Sequence, residues 1–145
     1  MTAPVFEILN YEGEGNGPVF LVLGGVHGNE AGGVQAIRDV ENLINNDHLD
    51  IVAGELMMIP GVNLAALEKG ERCIDRDLNR GLGEVETPAA HEDYLANEIC
   101  PLLRYADVLL DLHAYGSGTR PFIFLGPSDN KERSFAMSLG IQHFC

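Results

Sequence analysis

Two histidines and a glutamate are placed where they could hold one metal ion together. The segment GGVHGNE, residues 24–30, contains His27 and, three positions later, Glu30. His113 ends a separate apolar segment, DVLLDLH, at residues 107–113. Catalytic zinc typically takes three protein ligands and leaves a fourth position to water, and two histidines with one glutamate are among its known ligand sets. The three residues therefore predict one zinc ion per chain.

The segments around these residues predict how they could meet. Residues 18–24 (PVFLVLG) are typical of a buried strand, and residues 31–44 then place apolar side chains at helical spacing. Two further strands are predicted at residues 51–59 and 107–113. Strands that alternate with helices predict an α/β fold with a mainly parallel central sheet flanked by helices. Active sites of such sheets lie at the carboxyl ends of the strands, which is where the predicted metal ligands fall.

The rest of the chain is expected to continue this pattern. A helix is predicted to start at residues 87–88, where Thr-Pro can cap and open it, with Tyr94 on its buried face. Residues 121–126 (PFIFLG) predict a strand, and residues 130–140 (NKERSFAMSLG) predict a helix. The closing IQHFC is typical of the start of another strand. We therefore expect the chain to be part of a larger protein.

Asp111 is a candidate for orienting one metal ligand. Side chains alternate along a strand, so Asp111 should project to the same face as His113. A carboxylate hydrogen-bonded to a ligand imidazole fixes the orientation of the ring.

A loop between the two halves of the predicted site is rich in arginine. Residues 71–81, ERCIDRDLNRG, contain three of the chain's nine basic residues: Arg72, Arg76 and Arg80. A guanidinium beside the amide of Asn79 suits bidentate recognition of a carboxylate, and another can polarise a carbonyl and stabilise the oxyanion formed from it. The alternative is a solvated cluster in which these arginines pair with Asp75 and Asp77.

Two other interpretations of GGVHGNE are weaker. A phosphate-binding loop would end in Gly-Lys-Ser or Gly-Lys-Thr, and this segment has histidine and glutamate instead. An ordinary glycine-rich turn before a helix-start glutamate is the second alternative, since the helix macrodipole favours an acid there in any protein. This second alternative would require the arginine-rich loop and the segment DVLLDLH to accompany the turn by chance.

Three motifs in this order, GGVHGNE, DLNR and DLHA, resemble the succinylglutamate desuccinylase and aspartoacylase family, which is related to zinc carboxypeptidases. The resemblance implies zinc ligation by His27, Glu30 and His113, carbonyl polarisation by Arg72, carboxylate binding by Asn79 and Arg80, and a positional role for Asp77. It also implies zinc-dependent hydrolysis of the amide bond of an N-acyl amino acid or a similar small carboxylate-bearing amide. A carboxypeptidase-like peptide hydrolase and a non-catalytic zinc-binding fragment remain the alternatives.

The sequence departs from the family pattern in three places. Asn63-Leu64 stands where members often have Asn-Pro, and Arg80 is followed by GLGE instead of an aromatic residue and proline. The family's general-base glutamate lies on a later strand than any found here, and a C-terminal β domain follows it. Residues 1–145 are therefore expected to be the N-terminal part of a zinc-hydrolase catalytic domain.

Charge and composition limit the partners. Nine basic against 22 acidic residues give a formal charge of −13, which disfavours nucleic acid. No stretch approaches the roughly 18 apolar residues of a membrane span, and no secretion signal opens the chain, so we expect a cytoplasmic protein. A small-molecule N-acyl amino acid or related carboxylate is the expected partner, and a homo-oligomer is compatible with the sequence.

Overall fold

The structure is a computed structural model that describes residues 5–116, 118–126 and 130–145. The chain divides into two compact units, Met1–Ala114 and Tyr115–Cys145. The first unit contains, in chain order, β1 (Leu9–Glu12), β2 (Gly15–Gly24), α1 (Ala31–Asn45), β3 (Ala53–Ile59), α2 (Leu64–Lys69), a short 3-10 helix (Leu78–Arg80), α3 (His91–Tyr105) and β4 (Val108–Leu112).

Four strands form one sheet in the order β1-β3-β2-β4. β2 pairs in parallel with β3 and with β4, whereas β1 pairs antiparallel with β3. The predicted mainly parallel sheet flanked by helices is confirmed, and β1 is an addition that the sequence analysis did not predict. Gly24 at the end of β2 lies opposite Leu112 at the end of β4. This register places the turn after β2 and the residue after β4 at the same edge of the sheet.

Alternation along β2 builds a core on each face of the sheet. Leu21 and Leu23 pack with Leu95 and Ile99 of α3. Val22 belongs to a second cluster, with Ile37 of α1, on the other face. Fully burying one such side chain stabilises the fold by about 1.5–3 kcal/mol, and a slip of one residue would reverse every side chain of the strand. The core therefore fixes the strand ends that carry the site.

The predicted start of α3 at residues 87–88 was wrong by about one turn. The helix begins at His91, because the Asp93 carboxylate accepts hydrogen bonds from the backbone N–H groups of Ala89 and Ala90 and so satisfies the residues before it. The side chain of Tyr94, predicted to be buried, is 51% exposed. None of the helices among the described residues is long and apolar enough to cross a membrane.

The second unit, Tyr115–Cys145, contains the predicted helix as α4 (Asn130–Ser138). The strand predicted at residues 121–126 is reduced to a single parallel bridge between Ile123 and Phe144. Three backbone hydrogen bonds connect residues 123–125 with residues 143–145, which is too few to make a ladder of the whole segment.

Candidate metal centre

The turn after β2 brings His27 back over the end of the sheet. Gly25 has a φ of +62°, a left-handed conformation that glycine adopts without strain. A Cβ atom on Gly28 would lie 2.0 Å from the backbone of Ala66 in α2, so only glycine fits there. The Gly28 N–H also donates to the carbonyl of Arg72 at 3.3 Å, which joins this turn to the arginine-rich loop. His27 is buried as a result, with 2% of its surface exposed.

His27, Glu30 and His113 converge at the edge of the sheet. The Nδ1 atom of His27 lies 2.9 Å from Oε1 of Glu30, and Nδ1 of His113 lies 3.1 Å from Oε2 of the same carboxylate. One potential ligand atom from each residue lies within 4.8 Å of the others. Two imidazole nitrogens and a carboxylate oxygen form a donor set suited to zinc, so the three residues fit the predicted metal.

The second nitrogen of each imidazole is held by an aspartate. Nε2 of His27 lies 3.0 Å from Oδ1 of Asp77, and Nε2 of His113 lies 2.8 Å from Oδ2 of Asp111. The structure therefore places both predicted orienting residues beside the rings. Since Nε2 of each ring is engaged, Nδ1 of each ring is turned toward Glu30, where a shared ion would be bound.

Electrostatics keep the carboxylates of Glu30 and Asp77 charged. Burial raises the pKa of Glu30, but the hydrogen bond from the Ala114 N–H and the neighbouring His113 and His27 together hold it below its ordinary value. Burial also raises the pKa of Asp77, yet hydrogen bonds from His27 and Arg72 outweigh it and bring that pKa to about 2. The hydrogen bond to Asp111 raises the pKa of His113. Protons would therefore compete with a metal at His113.

The arginines of the loop are used in different ways. Arg72 lies at the rim of the centre, donating from Nε to Asp77 at 3.0 Å and from Nη1 to Glu30 at 3.4 Å. Arg76 is turned away and donates from Nε to Asp93 at 2.7 Å. Among the described residues, the alternative of a charge cluster is therefore met for one pair only, Arg72 with Asp77. In the same described part of the chain, Asp75 does not pair with an arginine in this way and accepts a hydrogen bond from the backbone N–H of His91 in α3.

Asn79 and Arg80 lie on the 3-10 helix beside the centre. The Asn79 N–H donates to Oδ1 of Asp77 at 3.0 Å, the same oxygen that contacts His27. Together with Asp111, Asn79 lines a small, mostly apolar cavity of about 140 Å³. The guanidinium of Arg80 donates to the carbonyl of Asn79 at 3.0 Å. The structure thus brings Asn79 next to Asp77 and Asp111 and leaves Arg80 on the exposed side of the loop.

Two buried polar residues near the centre were missed by the sequence analysis. Glu92 and Asn63 are both 0% exposed, and the Asn63 amide donates to the Glu92 carboxylate at 2.9 Å. Burial raises the pKa of Glu92, but hydrogen bonds from the backbone of residues 74–76 and from Asn63 bring it to about 2. In the sequence, Glu92 resembles an ordinary acid in the first turn of a helix, so nothing in the pattern indicates that it is buried and hydrogen-bonded to the loop.

The sequence of the chain matches a known protein family. Residues 16–141 match the family model described as the succinylglutamate desuccinylase/aspartoacylase catalytic domain. A curated relative, N-alpha-acetyl-L-2,4-diaminobutyric acid deacetylase from Halomonas elongata, is 32% identical over 110 residues, which cover 70% of this chain and 30% of the relative.

Solved structures show the same similarity. An aspartoacylase family protein from Mesorhizobium loti matches with a TM-score of 0.81 and 26% identity over 96% of this chain and 46% of that protein. A succinylglutamate desuccinylase/aspartoacylase from Rhodobacter sphaeroides matches with a TM-score of 0.64 and 31% identity over 74% of this chain and 32% of that protein. The chain spans less than half the length of each of these relatives.

Proposed function

The chain belongs to the succinylglutamate desuccinylase/aspartoacylase family, and from this premise we propose that it carries the zinc centre of a hydrolase that cleaves the amide bond of an N-acyl amino acid or a similar small carboxylate-bearing amide. The observation that carries the proposal is the convergence of ligand atoms from His27, Glu30 and His113 within 4.8 Å of one another. The name of the Halomonas elongata relative, a deacetylase of an N-acetylated amino acid, supports the amide class.

Each residue around the centre has a role in this chemistry. Zinc bound here would lower the pKa of water and polarise the scissile carbonyl. Asp77 and Asp111 hold the two imidazoles with Nδ1 turned inward. Arg72 stands at the rim, with 43% of its side chain exposed, where its guanidinium can stabilise the oxyanion that forms from the carbonyl.

Substrate carboxylate binding is assigned to Asn79 and Arg80. Arg72 is already paired with Glu30 and Asp77, and Arg76 with Asp93. Arg80, by contrast, forms no ion pair with a carboxylate among the described residues, so its guanidinium fork is available to a ligand. A bidentate pair with a substrate carboxylate would provide attraction that the acidic chain, with a formal charge of −13, otherwise lacks.

The general base is proposed to lie outside these 145 residues. The carboxylates closest to the centre are already hydrogen-bonded to the imidazoles: Glu30, Asp77 and Asp111. A carboxylate that binds the metal, as proposed for Glu30, or that orients a ligand, as proposed for Asp77 and Asp111, is not free to accept a proton from water. General acid–base help contributes about 10²–10⁴ in rate, so the chain alone should bind metal and substrate but turn over slowly.

The experiment that tests the proposal has two stages. Zinc content is first measured after metal-free purification and equilibration with zinc, for the parent chain and for His113→Ala. We expect one zinc per parent chain and a large loss in the variant. Full retention by His113→Ala, or no binding by the parent, would remove the metal assignment.

Hydrolysis is then measured with acetyl- and succinyl-amino acids, using a longer protein that includes these residues. Zinc-dependent turnover that falls on Arg72→Ala supports the proposal. Hydrolysis of short peptides in preference to acyl amino acids would favour the carboxypeptidase-like alternative. Zinc binding without any turnover would favour a non-catalytic zinc-binding module.

A further inference from the structure

A buried glutamate at the start of α3 accepts hydrogen bonds from three backbone amides of the arginine-rich loop and from Asn63. Oε1 of Glu92 accepts from the Ile74 N–H at 2.7 Å and from the Asn63 side chain at 2.9 Å. Its Oε2 accepts from the N–H groups of Asp75 at 3.0 Å and Arg76 at 3.1 Å. Three successive backbone amides of the loop thus point at one carboxylate that is itself fully buried.

Residues 74–76, whose backbone amides donate to Glu92, directly precede a residue of the candidate metal centre. Asp77 follows Arg76 in the chain, and its Oδ1 lies 3.0 Å from Nε2 of His27. Its other oxygen, Oδ2, accepts from Nε of Arg72 at 3.0 Å. The position of Asp77 therefore depends on the backbone that Glu92 holds, and both the ring of His27 and the guanidinium of Arg72 depend on Asp77.

We propose that Glu92 is a positioning residue, an anchor that fixes residues 74–76 so that Asp77 sets the His27 imidazole and the Arg72 guanidinium in place. Glu92 is fully buried, so it can affect the reaction only through the residues it holds. Any effect of Glu92 on catalysis therefore rests on the proposed function. The next residue, Asp93, also holds the loop, because its carboxylate accepts a hydrogen bond from Nε of Arg76 at 2.7 Å. Two adjacent carboxylates at the start of α3 thus hold the same loop.

The hydrogen-bond pattern makes Glu92→Gln a sharp test. Each carboxylate oxygen accepts from two donors. A glutamine has the same shape but replaces one oxygen with an NH₂ group, so two donors lose their acceptor in either orientation of the amide. The loop should then loosen while the core around α3 keeps its volume.

Zinc affinity is the first readout, measured by competition with a chromophoric chelator. We expect the dissociation constant of Glu92→Gln to rise by about 10- to 100-fold, the usual effect of disturbing the residues that orient metal ligands. Met58→Ala is the control, because Met58 is buried in the core cluster on the other face of the sheet and its truncation destabilises the fold without touching the loop. A dissociation constant for Glu92→Gln within twofold of the parent would overturn the proposal, as would an equal loss in Met58→Ala.

Amide hydrogen exchange is the second readout and needs no metal. In the parent chain, the amides of Ile74, Asp75 and Arg76 should be protected together, and exchange at unprotected rates would contradict the anchor even if the variant failed to fold. In Glu92→Gln, the Asn79 amide, which donates to Asp77, should lose at least tenfold in protection. Unchanged protection there would show that Glu92 does not position Asp77. If the parent bound no zinc, the proposed function would fail, and the exchange data alone would decide the role of Glu92.

Discussion

Replacing Asp111 with asparagine should weaken zinc binding, and the effect should act only through His113. Oδ2 of Asp111 lies 2.8 Å from Nε2 of His113, and its Oδ1 is buried with no hydrogen-bond partner among the described residues. The substitution therefore removes the negative charge behind the imidazole and breaks no other hydrogen bond. Loss of such a carboxylate typically costs about 10- to 100-fold in metal affinity, or about 1.4–2.7 kcal/mol.

The pH dependence of zinc affinity provides a second, independent test of this prediction. The hydrogen bond to Asp111 is the main cause of the raised pKa of His113. Zinc needs the unprotonated nitrogen, so the affinity of the parent should begin to fall, as pH decreases, above the usual histidine value of about 6.5. In Asp111→Asn the fall should begin at a lower pH. The difference in affinity between the two proteins is therefore expected to be largest near pH 8 and to narrow in acid.

The assay is chelator competition for zinc between about pH 5.5 and pH 8, the range in which histidines titrate, with Asp107→Asn as the matched control. Asp107 precedes β4 at the end away from His113, and its carboxylate accepts from the Val19 N–H at 2.9 Å. The control should cost stability and leave zinc affinity unchanged. The reasoning is refuted if Asp111→Asn binds zinc within twofold of the parent at pH 8, or if the difference stays constant as pH falls.

Three further outcomes are expected. Arg80→Ala and Arg80→Lys should both lose most of the binding of small dicarboxylates seen by titration calorimetry, because an ammonium cannot form the bidentate fork; equal affinity in all three proteins would remove Arg80 from substrate binding. The pKa of Glu92 is about 2 against an ordinary 4.5, so as pH falls from about 4.5 to 2 the free energy of unfolding, measured with urea, should lose about 3 kcal/mol more in the parent than in Glu92→Gln. The 145-residue chain should hydrolyse acetyl- and succinyl-amino acids at least about 10²-fold more slowly than a longer protein that includes it, and equal turnover would place the base within this chain.

The parts of the centre that follow from backbone periodicity were accessible from the sequence. The spacing of His27 and Glu30 in a turn before a helix, and of Asp111 and His113 along one strand, restricts where those side chains can point. The antiparallel β1 was not predicted, because LNYE is four residues long and its pairing is visible only beside β3. A short strand of this kind depends on its neighbour more than on its own residues.

The contacts that hold the arginine-rich loop could not be predicted in the same way. Glu92 and the amides of residues 74–76 are separated by 16 to 18 positions, and no repeat or motif connects them. The distinct uses of Arg72, Arg76 and Arg80 also depend on which carboxylates the fold brings near each guanidinium. The sequence indicated an anion-binding loop, whereas only the structure shows that Arg76 is already paired with Asp93.

Asn63 makes the two halves of the centre depend on each other during folding. Its backbone N–H donates to the carbonyl of Gly25 in the turn that carries His27, and its side chain caps α2 through Ala66. The same side chain donates to Glu92 at the start of α3. A buried amide left without its partner costs about 1–3 kcal/mol, and separating α3 from the turn would leave the side-chain NH₂ of Asn63 without Glu92 as its acceptor. The two segments should therefore open as one cooperative unit, and a half-formed centre should be rare in the native ensemble.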